Sequence, residues 1–156
     1  MKKQAAPNWR PESPVTENAR RELPRMIRRF LAEGDRVARA NTPVEKLHEF
    51  RLSAKRLRYT LEAFRKLYGP ALGKYLDAVR GVQTVLGELN DCRATRELLA
   101  RLPAEAGAAE LTPFLNEREQ SKREAFRALW PARFGDPAFR RAFLGYPAKY
   151  AGRKRA

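Results

Sequence analysis

Apolar residues recur every three or four positions through most of this chain, and no stretch alternates with a period of two for long enough to make a strand. The first helical run covers residues 16–40 and places Leu23, Met26, Ile27, Phe30, Leu31 and Val37 on one side. Thr16 is its expected cap, and Asn41-Thr42-Pro43 breaks it. A second run, 43–68, is capped by Thr42. It carries Leu47, Phe50, Ala54, Leu57, Leu61, Phe64 and Tyr68 before Gly69-Pro70 stops it. The third, 71–102, offers Leu72, Tyr75, Leu76, Val79, Val82, Leu86 and Leu89 and ends at Pro103. Residues 104–110, rich in Ala, Glu and Gly, read as a partly ordered link. The fourth run, 111–130, opens at Thr112-Pro113, presents Leu111, Phe114, Leu115, Ala125, Phe126 and Leu129, and is expected to end before Pro131. Phe139 and Phe143 mark a short turn over 137–143 that folds back on the rest. Long amphipathic helices with short breaks predict an all-α protein, a four-helix antiparallel bundle.

Both ends read differently. Pro7, Pro11 and Pro14 make residues 1–15 a flexible Pro-rich leader, and residues 147–156 a flexible basic tail, leaving 16–146 as the bundle. Pro7, Trp9, Arg10 and Pro11 stand where a secretory signal needs an apolar stretch, and no apolar run approaches the roughly 18 residues of a membrane span. One cysteine, Cys92, permits no internal disulfide. The expectation is a soluble cytoplasmic protein away from membranes.

Charge changes the picture. Of 156 residues, 33 are Lys or Arg against 18 Asp or Glu, a formal net charge of +15, which favours a polyanionic partner. The excess is uneven, with +4 over residues 44–68 and +5 over 135–156. Polar groups also interrupt the apolar faces. His48, Arg51, Lys55 and Arg58 line one strip of the second helix, roughly 15 Å long at 1.5 Å per residue. Gln83 and Asn90 fall within the apolar arc of the third helix, continued by Arg93 and Glu97. Arg118 and Lys122 fall within that of the fourth, and Arg20 and Arg28 on or near that of the first. A charge drawn out of water costs several kcal/mol unless it is paired. Glu62, Asp91 and Glu97 are too few to pair Arg51, Lys55, Arg58, Arg118 and Lys122. A positive, water-filled groove between helices, holding an external polyanion, accounts for the imbalance. Nothing matches a helix-turn-helix, a basic zipper or a zinc finger, and of the aromatics only Tyr59 lies near the basic strip as a stacking platform. A linear phosphate chain therefore suits the groove better than RNA, which is the alternative partner.

The segment 47–62, with His48, Arg51, Lys55, Arg56, Leu57, Arg58, Tyr59, Leu61 and Glu62, reads H-x-x-R-x-x-x-K-R-L-R-Y-x-L-E and resembles the CHAD family, the conserved histidine α-helical domain. Downstream, Gln83, Leu86, Gly87, Leu89, Asn90 and Asp91 are similar to that family's Q-x-x-L-G-x-L-N-D helix. With the fourth helix the likeness spans about residues 44–130. It implies an all-helical domain that binds inorganic polyphosphate through basic residues lining a cavity, with some members associated with polyphosphate granules. By motif, His48, Arg51, Lys55, Arg56 and Arg58 become binding residues, and Gln83, Asn90 and Asp91 support them. Arg20, Arg28, Arg118 and Lys122 join them on the face analysis alone. The resemblance is to the C-terminal half of a two-bundle domain, so a homodimer would supply the missing half.

Enzymatic readings find little support. Glu45 and His48 have the spacing of a helical di-iron pair, but such sites need two pairs and two further carboxylates, and Arg51 opposes a cation. Cys92, Ser53 and Ser121 lack an activating partner. The sequence predicts a non-catalytic binding module, with no catalytic residue, metal or cofactor.

Overall fold

The computed structural model of the chain describes residues 7–103 and 108–150. It is all-α, with six helices and no strand among the described residues: α1 (Val15–Val37), α2 (Val44–Ala63), α3 (Arg65–Tyr68), α4 (Gly73–Leu99), α5 (Ala108–Phe134) and α6 (Pro137–Tyr150), with a 3-10 turn at Pro70–Leu72.

Prolines, not threonines, start the first two helices. Pro14 (φ −53°, ψ 146°) and Pro43 (φ −57°, ψ 146°) occupy the N-cap positions without any side-chain cap. The fixed proline φ suits the extended N-cap backbone. Each carbonyl then accepts the first helical N–H groups, Glu17 and Asn18 on Pro14, Lys46 and Leu47 on Pro43. The caps expected at Thr16 and Thr42 are therefore not used; the Thr42 hydroxyl donates instead to the Arg39 carbonyl. α1 stops at Val37, and Asn41 turns the chain with φ 62°. Gly69, at φ 72°, ends α3 in the left-handed region that a residue lacking Cβ enters most readily.

Within the expected leader, residues 7–14 also depart from expectation. Over residues 7–14 the arm is fastened to α1. The Asn18 side chain accepts the Arg10 N–H and donates to the Arg10 and Ser13 carbonyls, and Glu22 accepts the Asn8 N–H at 3.2 Å. Trp9 rests on Phe64, ring centres 5.6 Å apart. At the other end the expected short turn is the 14-residue α6, so residues 147–150, read as tail, are helical. Pro147 is buried, and its carbonyl accepts the Tyr68 hydroxyl at 3.1 Å. Residues 1–6, 151–156 and most of the 104–110 link lie outside the described residues.

Every apolar position assigned to α1, α2 and α4 contributes to the core or packs against it. α5 behaves otherwise. Leu111 (49% exposed) and Phe114 (59%) face solvent on the first half of α5, which is tied to α4 by Arg96 through Asn116 and Glu119. The helix also runs through Pro131 to Phe134, and Trp130 and Phe134 enter the core with Phe126. Trp130 meets Phe30 of α1 at 5.4 Å and Phe50 of α2 at 5.5 Å, over Gly34, where a Cβ would fall 1.9 Å from the indole. Its ring N–H donates to Asp35 at 2.9 Å, and Arg140 of α6 closes on the same carboxylate. α6 stacks Phe143 on Tyr75 of α4 at 4.8 Å. The four-helix expectation left out this sixth helix, which packs along α1.

Candidate anion-binding site

α2 and α4 lie side by side and run in opposite directions. Near one end Arg80 donates to Glu62 at 2.9 Å, and near the other the His48 Nδ1 lies 2.9 Å from the Asn90 side-chain oxygen. Between these two links opens a groove of about 400 Å³, lined by Arg51 and Arg58 from α2 and by Arg80, Gln83, Thr84, Gly87, Glu88 and Asp91 from α4. The helical repeat puts them there. Arg51 and Arg58 stand seven residues apart, about 10 Å along α2 on one face, and positions 80, 83–84, 87–88 and 91 recur at one turn of α4. A Cβ built on Gly87 meets nothing within 4 Å, so the glycine leaves the groove open where a larger side chain would enter it.

The cations are poorly matched by acids. Arg51 is half-buried and forms no ion pair among the described residues; its Nε is buried with no hydrogen-bond partner. The Arg58 Nε is also buried and unpartnered, 3.9 Å from Glu62, too far for a hydrogen bond. Glu62 is engaged by Arg80, which also reaches Asp77 at 3.2 Å. That hydrogen bond to Glu62 pushes the Arg80 guanidinium up from its ordinary value. Glu88 is engaged by Lys122 at 2.9 Å. Gln83 leaves its carbonyl oxygen buried and unpartnered on the same wall, and rotating the amide would present its NH₂ there. A buried donor left unmatched costs about 1–3 kcal/mol, so two guanidinium groups and an amide held this way are poised to gain from an anion.

Of the residues expected at a site, the groove gathers Arg51, Arg58, Gln83 and Asp91. His48 does not line it. The imidazole is half-buried beside Leu47, Leu86 and Leu89, bonded to Asn90 and near Arg93, where it links the two helices. Lys55 is half-buried with its ammonium 5.7 Å from the Tyr59 ring centre, and Arg56 is exposed. Arg20 and Arg28 are exposed on α1, outside the groove. Arg118 is exposed as well, because the inward position on α5 falls to its neighbour Glu119, whose side chain is 15% exposed between Arg96 and Arg123. Lys122 is half-buried and touches the groove only through Glu88. Cations of three helices were expected to converge; two helices, α2 and α4, build the groove. Arg80, Thr84, Gly87 and Glu88 were missed, although their spacing continues the face of Gln83 and Asp91.

Fold and groove together define a helical protein with an open cationic cleft in which the Nε atoms of Arg51 and Arg58 are buried without an acceptor among the described residues. The family model of the CHAD domain matches residues 2–100, both walls of the groove included, and the chain belongs to the CHAD family. The match ends before α5, so Arg118 and Lys122 stand outside it. Comparison with curated proteins and with solved structures found no match. No helix among the described residues is long and apolar enough to cross a membrane.

Proposed function

We propose that this protein binds inorganic polyphosphate in the groove between α2 and α4, as a binding module and not as a catalyst. The observation that carries the reading is the pair Arg51 and Arg58, whose buried Nε atoms have no acceptor among the described residues, with Arg80 on the facing wall. A phosphate chain offers acceptor oxygens along its whole length, and arginine forks take them two at a time. Membership of a family associated with polyphosphate supports the same ligand. The groove walls carry no apolar side chain, as expected for a ligand that is charged throughout. Of the carboxylates at or beside the groove, Glu62 and Glu88 are occupied by Arg80 and Lys122, which leaves Asp91 with no second free carboxylate beside it; a lone acid argues for holding the chain, not for activating water upon it.

RNA is the second reading, and one observation favours it: Tyr59 is 49% exposed beside the basic strip. Its ring, however, already carries the Arg58 guanidinium 4.5 Å from the centroid, with Lys55 at 5.7 Å, leaving little of a stacking platform. The test is competition. Long-chain polyphosphate should displace labelled RNA while RNA displaces polyphosphate poorly, and Arg58→Glu should abolish polyphosphate binding with helicity by circular dichroism unchanged. Equal exchange would favour RNA, and polyphosphate binding that survives Arg58→Glu would put the site elsewhere.

A further inference from the structure

A second cavity, on different residues from the groove, has the opposite character. It opens where the α1–α2 connection meets α5 and measures about 250 Å³. Its lining includes three apolar side chains, Val37, Leu47 and Phe126. Two guanidinium groups reach it without a hydrogen-bonding partner. Arg127 has none among the described residues, and Arg39 acts only at a distance on Asp35, whose carboxylate Arg140 and Trp130 already hold. The acids of α5 near it are occupied as well: Glu119 accepts from both Arg96 and Arg123, and Glu124 accepts from Gln120, which lines the cavity. Arg123 in turn donates to the Thr42 carbonyl at 2.6 Å, fixing the connection that forms the wall. The cavity thus joins carbon surface to unspent positive charge.

We infer that this cavity is a separate binding site for a small organic anion, a carboxylate or phosphate monoester on a body about the size of one ring. The apolar lining removes a hydrocarbon body from water, which a bare phosphate chain does not possess, and Arg39 and Arg127 take the acidic head. A dry cavity of about 150 Å³ accommodates benzene, so the larger volume here leaves room for a ring and its acidic group. The site shares no lining residue with the polyphosphate groove and stands whether or not that reading holds.

Calorimetric and NMR titration of the full chain with phenyl phosphate and with benzoate tests it, alongside inorganic phosphate and benzyl alcohol as incomplete probes. Saturable binding of phenyl phosphate or benzoate is expected, at least tenfold tighter than either incomplete probe, and the tighter of the two identifies the natural head group. Arg127→Gln and Arg39→Gln should each weaken that binding about tenfold, whereas Arg58→Glu should leave it unchanged. Arg127 is half-exposed and Arg39 exposed, so both variants are expected to fold, and thermal unfolding checks this. Inorganic phosphate binding as tightly as phenyl phosphate, no saturable binding, or full affinity in both folded variants would each overturn the inference.

Discussion

Replacing Arg51 by methionine should raise stability and lower ligand affinity together, a pairing that few other sites on this protein would give. Arg51 is half-buried on α2 and, among the described residues, makes no ion pair and leaves its buried Nε without an acceptor. Methionine keeps the length of the stem and drops the charge. In the free protein an unmatched donor disappears. The full cost of such a donor is about 1–3 kcal/mol, and the lower end applies because the rest of the guanidinium faces the open groove. A gain of about 1 kcal/mol corresponds to a rise in Tm of roughly 2–4 °C for a chain of this size. In the complex the sign reverses. Hydrogen bonds to a charged partner contribute about 1.5–3 kcal/mol, so the Kd for polyphosphate should rise roughly ten- to 150-fold. Differential scanning calorimetry and fluorescence polarisation at one fixed salt concentration read the two halves, since affinity for a polyanion falls as salt rises. Arg140→Met is the natural control, because Arg140 is spent on Asp35 and the Phe134 carbonyl and its loss should lower Tm. An Arg51→Met protein that melts lower and binds as before would refute the reasoning.

Gly34→Ala should cost about 2–3 kcal/mol, with Tm lower by roughly 5–10 °C, because its Cβ would lie 1.9 Å from Trp130 in a filled aromatic core; a melt within 1 °C of the parent would mean that Trp130 can move aside. Acid should destabilise the protein through Asp35, Glu22 and Glu119. The hydrogen bond from Arg140 holds the Asp35 carboxyl below its ordinary range. Burial pushes Glu22 and Glu119 up, but it is outweighed by Arg21, the Asn8 N–H and Arg25 at Glu22 and by Arg96 and Arg123 at Glu119, which hold both carboxyls low. Groups depressed in this way stabilise the fold above the ordinary carboxyl range, near pH 4, and lose that effect as pH falls through their lower native values. Tm should therefore stay flat from pH 7 to 5 and fall below about pH 4. Asp35→Asn should lower it by up to about 1 kcal/mol of stability at pH 7 and converge with the parent in acid; an unchanged gap at pH 2.5 would contradict this.

The helical period was legible wherever a helix buries a single face for its whole length, as α1, α2 and α4 do. It misled on α5, whose first half leaves Leu111 and Phe114 exposed while its second half reaches α1 and α2 through Phe126, Trp130 and Phe134. Leu111 and Phe114 looked like core, and Arg118 looked inward when Glu119 is. Pro131 was read as a stop, yet the helix passes it because the turn it begins buries Phe134. At the site, period and charge brought out Arg51, Arg58 and Gln83, and the family motif added Asp91; the four share facing strips of two helices. They did not bring out the Arg80–Glu62 or His48–Asn90 links, because a contact between residues 18 or 42 positions apart depends on how two helices are offset along each other. His48 was grouped with the arginines by its place on the strip. One turn nearer the N-terminus, that strip passes out of the groove and meets Asn90.

Arginine-selective NMR spectra, following each Nε–H signal as polyphosphate is added, test the groove most directly. The Arg51 and Arg58 signals should shift first and saturate together, with Arg80 following and Arg28 and Arg118 changing little. Early shifts at Arg28 and Arg118 with Arg51 and Arg58 unmoved would mean that the chain is held on the general positive surface, and that the unmatched arginines of α2 serve some other purpose.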